Sequence, residues 1–338
     1  MPSARVTLPD IARATGLSPA TVDRVLNGRN GVRGRTRDHV LETAKRLGYL
    51  DHSGPDLEGV AMTFLLPAGS NDFIDMLHHQ IVTLAVQRPD LAVTVERITG
   101  FNPQTLAARL LSLRGQTGGI GLIAQDHPVV REAIRSLVQS GIHVLTLASD
   151  IQNVPRLAYV GIDNRQAGRL AGQLMGRLLP ADRPAKAALF AGSLSYRGHE
   201  EREMGFRHIL RDEFPHFRIL DLREIMDDTE KAATETRVLL DQHADLAAIY
   251  NVGGGTSGIA TVLQERGLAR KIVLISHEAT EGNKRLLLDG TVDAVIDQNP
   301  REEAREALNL LTAAIRQQSY SFVPPRLQLI LKENLPDA

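Results

Sequence analysis

The sequence contains no cysteine. Disulfides, thiolate metal sites and cysteine nucleophiles are therefore excluded. No apolar run approaches the roughly eighteen residues of a membrane span, and the N-terminus lacks the apolar core of a secretory signal. The expectation is a cytoplasmic protein with no membrane partner. Among eleven histidines, His78-His79 is the one adjacent pair, and none shows zinc-ligand spacing with a second cluster. No metal is expected. The run "GGGTSG" at 253–258 is not followed by Gly-Lys-Ser/Thr, so a phosphate loop is not expected either. It could instead open a helix and bring amides near a ligand. No Gly-x-Ser-x-Gly elbow occurs, nothing else marks a nucleophile, and no cofactor is implied.

What is present is ordinary in bulk and uneven in distribution. The 338 residues suffice for two or three domains, with 43% hydrophobic and 23% charged residues. The net charge of −1 conceals an asymmetry. Residues 1–50 hold nine Lys/Arg against four Asp/Glu, a net of +5, and the remaining 288 residues carry a net of −6. A basic head on an acidic body points to a polyanionic partner for the head.

The head reads as short helices. Thr7-Leu8-Pro9-Asp10 fits a helix start, with Thr7 as cap and Asp10 three residues on. Gly16 suits the turn that ends this helix. Ser18 then caps a second helix with Pro19 in its first position, and Val22, Val25 and Leu26 recur at helical spacing. A third helix is expected over about 35–47. Two short helices joined by a Gly-containing turn match the helix-turn-helix motif, whose second helix enters the DNA major groove.

The stretch "DIARATGLSPATVDRVLNG", continuing through "RTRDHVLETAKRLGY", resembles the DNA-binding headpiece of the lactose-repressor (LacI/GalR) family of bacterial regulators. The resemblance implies that Pro19, Ala20 and Arg24 form the base-reading face. Thr21, Asn27 and the residues around Arg33 to Arg37 would meet phosphates. Thr7, Ser18, Arg33, Arg35 and Thr36 complete the expected DNA-facing set. Arg can fork to guanine and Ala can touch a thymine methyl, and hydroxyl and basic groups position the helix on the backbone. Asp23 departs from the family's usual serine. Its expected role is a salt bridge to Arg24, with acceptance from a cytosine amino group as the alternative.

After residue 59 short apolar runs alternate with amphipathic ones. "VAMTFLLP", "LAVTVERI", "GIGLIA", "HVLTL" and "YVGIDN" read as strands, followed by a second series: "KAALFAG", "FRILDL", "DLAAIYNVG", "KIVLIS" and "TVDAVID". Helical runs separate them, including 104–114, 128–140, 199–213, 228–242 and 281–289. This alternation argues parallel sheets flanked by helices, in two α/β subdomains. "VGIDNRQAG", "EREMGFR" and "DQNP" resemble landmarks of the periplasmic-binding-protein-like (type I) domain that follows the headpiece in this family. The implied organisation is an all-α head over 1–50, a shortened hinge over 51–59 and a ligand-sensing domain over 60–335. Crossings near 161–163, 290–298 and 322–325 would divide that domain. Its first subdomain would span 60–161 plus 298–322, and its second 162–290 plus 325–335.

Ligands in such sheets sit beyond the carboxyl ends of strands. Those ends offer Asn71, Asp72 and Phe73; Asp126 and His127; Ser149 and Asp150; Tyr196, Arg197 and Arg202; Asn251; Glu278; and Gln298. Carboxylates, amides and guanidiniums suit adjacent hydroxyls, and aromatic rings cover the apolar face of a sugar. The expected ligand contacts are Asn71, Phe73, Asp126, Asp150, Tyr196, Arg197, Arg202, Asn251, Glu278 and Gln298. The resemblance favours Arg202, Asn251 and Gln298 most. Glu278 stands where the family typically has Asp, and Val252 where an Asp often follows the Asn, so the ligand cannot be copied from familiar members.

The resemblance implies a ligand-controlled regulator, most often a repressor, of a carbohydrate or polyol operon. A homodimer would bind a pseudo-palindromic operator, with a sugar, polyol or sugar derivative as effector. The ending "LKENLPDA" has no leucine-heptad extension, so a coiled-coil tetramer is not expected. The linker "GYLDHSGPDLEGVAMTF" has Gly54-Pro55, three acids and no Lys or Arg before the first strand. It is expected to be extended, with Leu57 as an isolated candidate for minor-groove insertion. A sugar-modifying α/β enzyme with an accessory DNA-binding head is the alternative, and a transport binding protein fails on the missing signal peptide and the head.

Overall fold

The structure, a computed structural model, describes residues 8–26, 36, 39–40, 43–44, 59–99 and 102–336. The chain divides into two compact units, Met1–Glu58 and Gly59–Ala338.

In the first unit α1 spans Leu8–Thr15 and α2 spans Pro19–Leu26. Gly16 takes φ +69 in the turn between them, the left-handed conformation that ends helices without side-chain strain. Ser18 caps α2: its Oγ accepts from the Thr21 amide at 3.2 Å. Ile11, Ala12, Val22 and Val25 are buried together with Val40 and Ala44, and the described residues of the 35–47 stretch are helical. Burying this face leaves Pro19, Ala20 and Arg24 exposed on α2. Thr7, Asn27, Arg33, Arg35, the Asp23 side chain and the linker up to residue 58 lie outside the described residues.

The second unit holds two sheets. The first is built from β1 (Val60–Pro67), β2 (Leu91–Ile98), β3 (Gly119–Leu122), β4 (His143–Leu147) and β5 (Tyr159–Val160), in the order β2-β1-β3-β4-β5. All its pairings are parallel. Its helices are α3 (Asp72–Val86), α4 (Pro103–Ser112), α5 (Pro128–Gln139) and, from much later in the chain, α11 (Pro300–Ile315). Leu308 and Leu311 of α11 join Phe64, Leu77 and Leu145 in one buried cluster.

The second sheet contains β6 (Ala185–Ala191), β7 (Phe217–Ile219), β8 (Arg223–Glu224), β9 (Leu246–Asn251), β10 (Val273–His277), β11 (Ala294–Asp297) and β12 (Gln328–Ile330). Its order is β12-β11-β10-β9-β6-β7, with β8 also on β6. One edge departs from the expected parallel arrangement: β12 runs antiparallel to β11. The helices of this lobe are α6 (Asn164–Leu178), α7 (Arg197–Glu213), α8 (Thr229–Gln242), α9 (Thr256–Glu265) and α10 (Glu281–Asp289). The second lobe was expected to comprise 162–290 plus 325–335. β11 pairs with β10 and β12, so the lobe reaches Asp297 before the chain returns to the first lobe in α11. Among the described residues no helix is long and apolar enough to cross a membrane.

Candidate functional site

Both sheets end at one cleft of about 770 Å³, its open mouth included. The lining follows strand carboxyl ends, as expected for open α/β sheets. Pro67 to Asn71 and Phe73 follow β1, Ile123 follows β3, and Ala148 and Ser149 follow β4. From the other lobe come Tyr196, His199 and Arg202, then Met226 and Asp227, Gly253, the pair His277 and Glu278, and Gln298.

Arg202 is the centre of the floor. Its side chain is 4% exposed. It projects from α7, where Phe206 packs against Tyr250 with ring centroids 4.9 Å apart. Arg202 Nε donates to Asn164 Oδ1 at 2.7 Å and NH1 to the Val252 carbonyl at 2.8 Å. Asn164 is the first residue of α6, whose cap is Asp163, accepting from the Gln166 amide. The Asn164 amide nitrogen reaches the Ala148 carbonyl at 3.2 Å and the Tyr159 hydroxyl at 2.9 Å. The "GIDN" landmark is thus a coupling between lobes: Asn164 ties the buried arginine to the end of β4.

Glu278 lies 3.8 Å from Arg202 NH2, too far for a hydrogen bond. Gln298 Nε2 donates to Glu278 Oε1 at 2.6 Å, and Gln298 Oε1 is buried with no partner in the structure. Burial, reinforced by Asp297, raises the Glu278 carboxyl to about 8 against the opposing pull of Arg202 and Gln298. Burial likewise raises Glu303, whose carboxylate oxygens are buried without partners. Burial lowers His199 and His277, and His277 Nε2 sits 2.8 Å from the Tyr250 hydroxyl. At neutral pH Glu278 and Glu303 therefore hold their protons and His199 and His277 are neutral, which leaves the Arg202 guanidinium as the fixed charge of the floor.

A pH dependence follows. Unfolded, Glu278 ionises near 4.5; folded, it holds its proton to about 8. Its contribution is therefore full below 4.5 and is lost as pH rises to about 8. Urea midpoints of the wild type should fall over that window. Glu278→Gln should flatten part of the fall and be more stable than wild type at pH 8, by roughly 1–3 kcal/mol. A variant with the same pH profile as wild type would refute the buried, protonated carboxyl.

Six of the expected contacts line this cleft: Asn71, Phe73, Tyr196, Arg202, Glu278 and Gln298. Four do not. Asp126 is paired with Arg131 at 2.6 Å, Asp150 with Arg156 and Arg197 with Glu201 at 2.8 Å. These charges are consumed locally by partners four to six residues away. Asn251 is fully buried and spends its amide nitrogen on Gly253 O, Gly254 O and Thr256 Oγ1. It holds the glycine loop in place rather than facing the cleft. His199, Met226, Asp227 and His277 were not anticipated. His199 lies within the "SYRGHEER" stretch and His277 directly before Glu278, so strand-end position could have flagged both; Asp227 follows a two-residue strand and carries no such signal. Among the described residues no group of three His, Cys, Asp or Glu is placed to hold a metal ion.

Comparison with known proteins agrees with this architecture. Solved structures with the same fold include GanP, a glucose-galactose binding protein from Geobacillus stearothermophilus (24% identity, TM-score 0.72, covering 82% of this chain and 99% of that one). Another is a solute binding protein from Burkholderia graminis in complex with D-arabinose (22% identity, TM-score 0.76, covering 84% and 99%). Among curated relatives, catabolite control protein A of Priestia megaterium is 30% identical over 168 residues, 48% of this chain and 49% of the relative. That of Staphylococcus epidermidis is 28% identical over 224 residues, 61% of each. The chain thus spans about half to three-fifths of the length of these relatives. Residues 62–319 match the periplasmic binding protein domain, and residues 7–51 match the bacterial regulatory proteins of the lacI family. The chain belongs by residues 62–319 to the periplasmic binding protein domain family, and that domain is preceded by a helix-turn-helix region of the lacI family of bacterial regulatory proteins.

Proposed function

We propose that this protein is a ligand-responsive, DNA-binding transcriptional regulator of the cytoplasm, a repressor of a carbohydrate or polyol utilisation operon. Its effector is a sugar, polyol or sugar derivative bound between the two lobes of Gly59–Ala338. Its DNA partner is a pseudo-palindromic operator held by a homodimer. The observation that carries the reading is the cleft itself, where a buried arginine, amide and carboxyl groups and the rings of Phe73 and Tyr196 converge at the ends of both sheets. The names of the relatives point the same way, from catabolite control to ribose binding. Effector binding would change the relative orientation of the lobes and with it the spacing of two heads on DNA, so a small rotation removes many contacts.

The DNA-reading surface in this proposal is the exposed face of α2, with Pro19, Ala20 and Arg24 toward the bases. Thr7, Ser18, Thr21, Asn27, Arg33, Arg35 and Thr36 would stand toward the backbone. Arg24→Ala is expected to cost about 1–3 kcal/mol of operator affinity and to relax base choice at one position. Wild-type affinity should fall steeply with salt as counterions are released. Gel-shift titrations check both. Normal operator binding by a chain lacking residues 1–58 would overturn the assignment of DNA contact to the head.

A further inference from the structure

Asp227 is held in the cleft by an unusual amount of structure. Met226 and Asp227 take φ 55 and 56, the left-handed region that residues with side chains rarely adopt. The turn is pinned by the Ile225 amide on Ala191 O and the Met226 amide on Gly192 O, both at 2.8 Å. Three glycines clear the space around the side chain. A Cβ on Gly192 would stand 2.3 Å from Asp227 Oδ1, one on Gly253 2.6 Å from the same atom, and one on Gly254 3.0 Å from the Asp227 Cβ. The glycine run that lacks a phosphate-loop lysine thus has another use, as part of a seat for a carboxylate. The Gly254 amide donates to Oδ1 at 2.7 Å. The other oxygen faces the opposite lobe and accepts from Asn71 Nδ2 at 3.0 Å, while Ser70 Oγ donates to the Asp227 carbonyl at 3.2 Å.

We propose that Asp227 is the specificity-determining residue of the cleft, admitting neutral polyhydroxylated effectors and excluding sugar acids and sugar phosphates. The proposal rests on the effector-site reading given above. A carboxylate is an acceptor with two oxygens and about four lone-pair sites. The bonds from Gly254 and Asn71 use one site on each oxygen, which leaves acceptor capacity for ligand hydroxyls. An anionic substituent at this end of the cleft meets a like charge that the glycine seat prevents from turning away. Among the described lining residues Arg202 is the only Lys or Arg, and two of its five N–H donors are already committed to Asn164 and Val252.

The test is calorimetry on the full chain with neutral aldopentoses and aldohexoses, each paired with its uronic acid and its phosphate monoester. Wild type should bind at least one neutral sugar and prefer it to both anionic partners by about 100-fold or more. Asp227→Asn keeps the shape and removes the charge, and should cut that preference at least tenfold. Asp227→Ser, smaller and uncharged, should do the same and guards against misfolding of the first variant. Equal or tighter binding of an anionic partner by wild type, or an unchanged preference in both variants, overturns the role of Asp227 alone. Failure of wild type to bind any neutral or anionic member overturns the reading of the cleft and the proposal with it.

Discussion

Arg202→Ala should abolish effector binding and destabilise the Gly59–Ala338 unit, while leaving the operator affinity of the folded protein unchanged. The energetic case comes from what the guanidinium leaves behind. Its loss strands Asn164 Oδ1 and the Val252 carbonyl in a buried site. Hydrogen bonds from a charged donor contribute about 1.5–3 kcal/mol each, and an abandoned buried acceptor adds its own desolvation cost. A loss of roughly 3–5 kcal/mol is expected from the two stranded acceptors together. The functional case comes from geometry. Arg202 is the one guanidinium in the lining, and through Asn164 it is tied to the Ala148 carbonyl of the other lobe. Its removal therefore deletes a ligand donor and a lobe coupling at once. Arg202→Lys should not rescue, because a single ammonium cannot reproduce the planar fork. Urea unfolding reads the stability, calorimetry the affinity and gel shift the head. Retained effector affinity within twofold would sink the assignment of Arg202.

The site was legible in the sequence where function and strand ends coincide. The buried Arg202, Glu278 and Gln298 sit at positions that the strand-end rule reaches directly. The rule overreached at Asp126 and Asp150 because it counts acids without asking who neutralises them. The answer was in the sequence: Arg131 and Arg156 follow five and six residues later. Asn251 shows a different failure. Its position at the end of β9 is as expected, but its rotamer is set by the glycine loop folding back over its amide. Asp227 was beyond reach altogether. It follows β8, a strand of two residues, and it enters the cleft through two left-handed residues that no local signal announces. The helices were easier, since caps and apolar spacing are local. The expected helix at 281–289 is the observed α10, capped by Thr280 and closed by Gly290 at φ +77.

Gly168→Ala is the second large effect expected, and it tests how the floor of the cleft is held. Gly168 and Gly205 let α6 and α7 pack backbone against backbone. A Cβ on Gly168 would lie 1.9 Å from the Arg202 carbonyl oxygen, and one on Gly205 would lie 2.1 Å from the Arg165 carbonyl oxygen. Neither obstacle is a side chain that can rotate away, so the helices must separate. Gly168 stands one turn beyond Asn164, and its obstacle is the backbone of Arg202 itself. Separation at this point therefore stretches the 2.7 Å Asn164–Arg202 bond together with the packing. Overfilling a core costs about 1–3 kcal/mol when side chains can adjust; with backbone in the way, a loss of about 3 kcal/mol or more is expected. For a unit of this size that lowers the melting temperature by roughly 6–12 °C. Gly172→Ala supplies the contrast. Its Cβ would meet the Ile209 Cγ2 methyl at 2.3 Å and the Phe206 carbonyl oxygen only at 3.3 Å, a shallower overlap with backbone than at Gly168, so its cost should be smaller. Gly168→Ala should also weaken effector binding, whereas Gly172→Ala, two turns from Asn164, should weaken it little. Equal melting temperatures for Gly168→Ala and wild type would show that α6 and α7 are not in backbone contact at Arg202, and the account of how that arginine is held would fall with it.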